Sequence, residues 1–314
     1  MRHHSPVSRL NMFAVYGMIV LLSVIGWTNP LSAASTSDRS AAVGYIEQLA
    51  GDMASFSLER GEKAVSLALL LPVRSGDRLV VQGPGNKVLL HCGNRRITVT
   101  EKESPFIVPV AESPPGFLMR LGTLLMDLGS RLTAQQVRTV TKTSTSSRGE
   151  EEPLTIPLLE GGASQLANDL PMLSVAWLGG EPPYVIELTS LDGAHHELFK
   201  KTGVVEPRVQ FSVPGGKLSE HFMRLSISDN IGQEAQASFE VIPARLVPSS
   251  DPSLRQLEAP AQLRSLLQAD FLMKRDSRRW SYQAYQSVAP LADSFEPARW
   301  LRDCLEDSSW CYRQ

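Results

Sequence analysis

Alternation of apolar and polar residues over residues 171–243 constrains the fold of this chain more than any other feature. Tyr184, Ile186 and Leu188 alternate with polar or small neighbours, and the same period of two returns in three later segments. This period is that of strands with one buried and one exposed face, typical of antiparallel sheets. Turn sequences such as Asp192-Gly193 separate the segments. About six or seven strands in some 70 residues are predicted here.

This strand density resembles an immunoglobulin-like or fibronectin-type sandwich, which we place at residues 171–244 with Trp177 as its core aromatic. The region contains no cysteine, so the disulfide that joins the two sheets in many such domains is excluded. The predicted fold class is therefore mainly β and multi-domain, with an α-helical module at the C-terminal end.

Residues 40–112 also predict short strands, including the apolar run Val65 to Leu71, with glycine-containing turns between them. A first strand begins at Val43-Gly44-Tyr45-Ile46, the turn Ser75-Gly76-Asp77 follows an apolar run, and Gly83 and Gly85 precede Val88-Leu89-Leu90. This order resembles the FecR-like domain of bacterial envelope and sigma-regulator proteins. The resemblance implies a small β domain in the periplasm of a Gram-negative bacterium. We expect Asp77 to hold its turn by hydrogen bonds to the backbone.

The first 34 residues resemble a signal peptide. Arg2 and Arg9 precede a 16-residue apolar run from Met12 to Trp27, which is short for a membrane span. Small residues follow, and we expect cleavage after Ala34 or Ala33. The alternative is an uncleaved anchor; in both cases the remaining chain is expected outside the cytoplasm, in the periplasm or otherwise exported.

Residues 113–135 predict an amphipathic helix with one stripe of leucines, spaced three and four apart: Leu118, Leu121, Leu125, Leu128 and Leu132. The stripe either covers the preceding β domain or docks on a partner. Residues 136–170 are rich in serine, threonine and charged residues and predict a flexible linker. Within it, Leu154 to Leu159 has the composition of a segment that pairs with a strand.

The period becomes helical in residues 253–314, where three short helices are predicted, with Asp276-Ser277 as one start signal. A basic patch in this module is a second candidate docking surface for an acidic partner: Lys274, Arg275, Arg278 and Arg279. Cys304 and Cys311 form a disulfide only if the helix breaks between them, because seven helical residues separate Cα atoms by about 10 Å.

No pattern of residues predicts catalysis, a cofactor or a metal site, and the formal net charge of −2 argues against nucleic-acid binding by bulk charge. The sequence favours an exported, non-enzymatic envelope adaptor that binds another protein through its β domains and helical module. Two alternatives remain open. One is a peptidoglycan- or glycan-binding envelope protein, and the other is a membrane-anchored regulator of signal transduction.

Overall fold

The computed structural model describes residues 42–110, 116–142, 153–192, 196–249 and 259–307. Residues 1–34, predicted to be a signal peptide, lie outside this set. The described chain is mainly β-sheet, in four sheets, with helices at its C-terminal end, as the sequence predicts. None of its described helices combines the length and the apolar character that crossing a bilayer requires.

The first β region consists of two four-stranded sheets. One has the strand order β4-β1-β6-β7 and the other β3-β2-β5-β8. The strands are β1 (Ala42–Ala50), β2 (Phe56–Arg60), β3 (Lys63–Val65), β4 (Pro72–Arg74), β5 (Arg78–Val81), β6 (Lys87–Cys92), β7 (Arg95–Thr100) and β8 (Phe106–Ile107).

The predicted strand Val65 to Leu71 is wrong for most of its length. Only Val65 belongs to a strand, and the leucines that follow it form a buried loop, with Leu70 at a φ of 61°. When successive side chains are apolar, they have to be buried in several directions. A strand with one buried face buries only every second side chain, so it does not suit such a run.

The second β region consists of a two-stranded and a five-stranded sheet that share one core. Their strand orders are β10-β13 and β12-β11-β14-β15-β9. The strands are β9 (Gln165–Ala167), β10 (Met172–Ala176), β11 (Tyr184–Ser190), β12 (Glu197–Val204), β13 (Arg208–Ser212), β14 (Phe222–Ser228) and β15 (Glu234–Ile242). Ile186, Leu188 and Phe239 face the core, and Trp177 is 2% exposed with its ring edge-on to Tyr184, which confirms its prediction as a core aromatic.

Helix α1 (Gly116–Lys142) packs against β1, β4 and the last helix of the chain. All five leucines of its stripe are at most 3% exposed, so they fill the core and are not available to dock a partner. The docking prediction for Leu118, Leu121, Leu125, Leu128 and Leu132 is therefore corrected. A β carbon on Gly129 would meet the Leu69 carbonyl oxygen at 1.7 Å, so only glycine permits this approach of helix to loop.

The predicted flexible linker over residues 136–170 is also corrected. Helix α1 continues to Lys142, seven residues beyond its predicted end, and residues 153–170 contain a 3₁₀ turn at Pro157–Leu159 and strand β9. Thr155 forms a bridge with Leu178, so part of this segment does pair with a strand. Residues 143–152 lie outside the described residues.

The C-terminal module contains α2 (Ala261–Val288) and α3 (Glu296–Glu306). Extended backbone at Asp276 divides α2 into two helical halves, where the sequence placed a helix start, and the Asp276 side chain accepts a hydrogen bond from the Arg279 amide. Helix α2 contacts β9 and β10, while α3 contacts β1 and α1. The helical module therefore joins both β regions.

Two buried glutamines of α2 satisfy strand edges that would otherwise lack partners. The side-chain carbonyl of Gln283 accepts a hydrogen bond from the Ala167 amide of β9 at 2.7 Å. The Gln286 side chain makes a matched pair with Ser174 of β10, accepting from its N–H and donating to its carbonyl, both at 2.8 Å. An amide side chain here takes the place of a neighbouring strand.

Gln286→Leu is expected to destabilise the protein by about 2 to 3 kcal/mol, because it leaves a buried N–H and a buried carbonyl of Ser174 without partners. Chemical denaturation measures this change. Ser287→Ala is the control, since the Ser287 hydroxyl donates within the helix, to the main-chain carbonyl of Gln283. Equal midpoints for the two variants would contradict the role given to Gln286.

Candidate functional site

Two side chains of the predicted basic patch form ion pairs or hydrogen bonds within the protein. Lys274 pairs with Asp127 of α1 at 2.9 Å and with Asp270 at 3.0 Å, and its hydrogen bond lowers the pKa of Asp127. The Arg279 guanidinium donates to Gln165 at 2.6 Å. Arg275 and Arg278 are exposed. Two of the four cations thus hold α2 to its neighbours, which leaves a weaker surface for an acidic partner than the sequence suggested.

The predicted disulfide lies at the limit of the described chain. Cys304 is 4% exposed and is disulfide-bonded. Its predicted partner, Cys311, lies outside the described residues. Cys92 is a free thiol, and burial raises its pKa, which disfavours the reactive thiolate.

No group of three or more His, Cys, Asp or Glu side chains within the described ranges is arranged to hold a metal ion. A concave site does occur elsewhere, beside β15. It is an open groove of about 430 Å³ between the first half of β15 and the segment from Leu154 to Gly162.

The wall opposite β15 follows from local sequence. Leu154 and Thr155 are fixed by hydrogen bonds, the first to the Gln233 side chain and the second to Leu178. Pro157 then starts the 3₁₀ turn, and Gly161 and Gly162 take left-handed φ values of 100° and 68°. Residues with a β carbon rarely adopt that conformation, so this turn favours glycine. The chain pairs with β15 at β9.

Strand β15 is paired on this side over only its last three residues. Strand β9 lies beside Glu240, Val241 and Ile242, and no described strand lies beside residues 234–239 on that edge. The Glu240 amide donates to the backbone carbonyl of Ser164 on the β9 side, whereas the Val241 amide donates to the backbone carbonyl of His221 on the β14 side. Because the direction alternates along a strand, the N–H and carbonyl groups of Gln236 and Ser238 point into the groove.

The two faces of this open edge differ in character. Ala235 and Ala237 pack against the core and are half-buried. Leu154, Ile156 and Leu159 also line the groove and are at most 7% exposed. Gln236 and Ser238 face outward.

Four other strand edges, those of β8, β9, β10 and β12, carry features that prevent pairing. Helix α2 covers the edges of β9 and β10 through Gln283 and Gln286. Strand β12 carries exposed Lys200 and Lys201, and the two-residue strand β8 directly follows Pro105. Charges, prolines and covering helices are the usual means by which proteins block edge pairing. Residues 234–238 (EAQAS) have no proline and no lysine.

Sequence reasoning did not find this site. The residues that form it lie partly in the predicted linker, where the apolar composition of Leu154 to Leu159 indicated only a segment that pairs with a strand. The detectable signal was a strand with small residues at alternate positions, Ala235 and Ala237, together with the Gly161-Gly162 turn. The sequence does not show that β9 is too short to cover its neighbour.

No known family model matches this chain, and no curated protein matches its sequence. Among solved structures, one similar chain is described as "Crystal Structure of the RIG-5 IG1 homodimer". It is 10% identical, with 29% of this chain and 96% of that chain covered, and the TM-score is 0.19. A TM-score this low supports no conclusion about shared fold or function.

Proposed function

We propose that this protein is an exported, non-enzymatic adaptor of a bacterial envelope that binds an extended segment of another protein along the open edge of β15. The single observation that carries the proposal is the pair of residues Gln236 and Ser238, whose backbone groups face a groove with no described strand beside them. A partner strand would satisfy these groups and extend the sheet, which is a common mode of peptide recognition.

The proposed location and domain identities rest on the sequence. The signal-like segment before residue 35 supports export to the periplasm. The order of strands and turns supports a FecR-like domain at residues 40–112, and the alternating strands that form two sheets around Trp177 support an immunoglobulin-like sandwich. The contacts of α2 with both sheets support a scaffold that presents a binding edge.

A proline at position 238 tests the proposal. Ser238→Pro removes an N–H that points into the groove and places a ring in the path of an added strand, but it removes no hydrogen bond to β14. We expect at least about tenfold weaker binding of a capped ten-residue peptide of alternating valine and threonine. Ser238→Ala is the matched control, since it keeps the N–H, and it should bind as the native protein does. Fluorescence anisotropy measures the affinities.

Hydrogen exchange identifies where the peptide binds. Bound peptide should slow exchange at the Gln236 and Ser238 amides of the native protein. Unchanged peptide affinity in Ser238→Pro, or protection only at other strands, would contradict the proposal. Sedimentation with purified peptidoglycan that survives the proline substitution, without peptide binding, would instead favour the glycan-binding function. A dimer of the native protein that Ser238→Pro dissociates would assign the edge to self-association.

A further inference from the structure

The groove beside β15 also constrains the chemistry of the segment that it accepts, and this inference rests on the proposed function. An added strand would lie in line with β9, along the edge of β15 at residues 234–239. At about 3.3 Å per residue, this part of the edge pairs with five or six residues of an extended chain. Successive side chains of that segment would point alternately toward the core and toward solvent.

The inward positions require apolar side chains. They would lie beside the half-buried Ala235 and Ala237, and the neighbouring lining residues Leu154, Ile156 and Leu159 are at most 7% exposed and carry no polar side-chain group. A polar or charged side chain at these positions would lose its water without gaining a hydrogen-bond partner, so it is disfavoured. Branched aliphatic residues of moderate size match the space that the two alanines leave.

The outward positions lie among carboxylates. Glu160 lines the groove, Glu234 begins the open edge, and Glu240 ends it. Glu234 accepts a hydrogen bond from the neutral amide of Gln236, and Glu240 accepts one from Gln165, whose side-chain carbonyl in turn accepts from Arg279. Arg224 of β14, opposite Ser238, is a cation on the outer face of the sheet. Among these residues three carboxylates face two cations, and the two that lie on the groove wall and at the open edge itself, Glu160 and Glu234, are both acidic.

We propose that the open edge of β15 selects an extended segment in which aliphatic residues alternate with lysine or arginine, the aliphatic side chains packing beside Ala235 and Ala237 and the cations pairing with Glu160, Glu234 and Glu240. The backbone hydrogen bonds supply affinity for any extended segment. The alternation supplies the specificity, and the charge contribution falls as salt screens it.

Three capped ten-residue peptides test this inference against the full chain at low salt. Valine alternates with lysine in the first, with threonine in the second and with glutamate in the third. A single exposed ion pair contributes little, so the preference depends on the three carboxylates acting together. We expect the lysine peptide to bind about tenfold tighter than the glutamate peptide. Glu160→Gln should reduce that ratio by about threefold. Glu206→Gln changes the net charge equally at an exposed position that does not line the groove, and it should leave the ratio unchanged.

The outcomes separate the two proposals. Equal affinity for all three peptides, each lost in Ser238→Pro, would overturn the charge preference while supporting strand addition. An equal effect of Glu160→Gln and Glu206→Gln would overturn the assignment of Glu160 and reduce the preference to net charge. Binding of none of the peptides would overturn both.

Discussion

Leu125→Asp is expected to unfold a large fraction of the protein. Leu125 of α1 is completely buried against the first β region, so the substitution removes a core side chain and places a carboxylate in an apolar environment. We expect a loss of at least about 4 kcal/mol, which is comparable with the total stability of many domains. Chemical denaturation of the full chain, followed by circular dichroism, measures it.

Leu124→Asp is the matched control for this experiment. Leu124 is the preceding residue and is 41% exposed, so a carboxylate there remains hydrated, and we expect a change of about 0.5 kcal/mol or less. If both variants unfolded at the same denaturant concentration as the native protein, α1 would not be part of the core. The leucine stripe would then again be a candidate docking surface.

The second large effect is expected for Asp77→Ala. The carboxylate of Asp77 is 1% exposed, accepts two hydrogen bonds from the Arg60 guanidinium at 2.9 and 2.8 Å, and accepts the Arg74 amide at 2.8 Å. Removing it takes away the acceptor of the Arg74 amide and the negative charge beside the half-buried Arg60, which also donates to the Pro72 carbonyl. We expect a loss of about 3 to 5 kcal/mol in the free energy of unfolding.

Glu59→Ala provides the comparison in the same β region. Glu59 pairs with Arg78 at 2.7 Å, but both side chains are more than 40% exposed, so its loss should cost at most about 1 kcal/mol. Thermal or chemical unfolding of the two variants should therefore differ clearly. A similar small effect of both would show that Asp77 does not hold its turn in solution.

Strands such as β11 and β14 of the second β region were predictable because one face of each is buried and the other is at least partly hydrated. That arrangement imposes an alternation on the sequence, as at Tyr184, Ile186 and Leu188. The break in α2 was predictable as well, because the Asp276 side chain can cap the helical half that follows it. Both signals are local, and neither depends on what the rest of the chain does.

Other features had no local signal. The run after Val65 has the composition of a strand, but its leucines form a buried loop in which the Leu69 amide donates to Thr133 of α1, 64 residues away in sequence. The spacing of the leucines in α1 predicts an apolar face, and only the packed structure shows that β1, β4 and α3 cover it. The linker prediction failed because a composition rich in serine and glutamate does not reveal strand pairing by a few residues such as Gln165 to Ala167.

The sequence by itself determined the mainly β character, the helical C-terminal module and the buried faces, because side-chain period follows directly from backbone geometry. The tertiary structure decided which faces and edges remain free. Gln286 fills the edge of β10, while β9 pairs with only the last three residues of β15 and leaves Gln236 and Ser238 facing a groove. An edge is open or closed according to what lies beside it, and its neighbours come from distant parts of the chain.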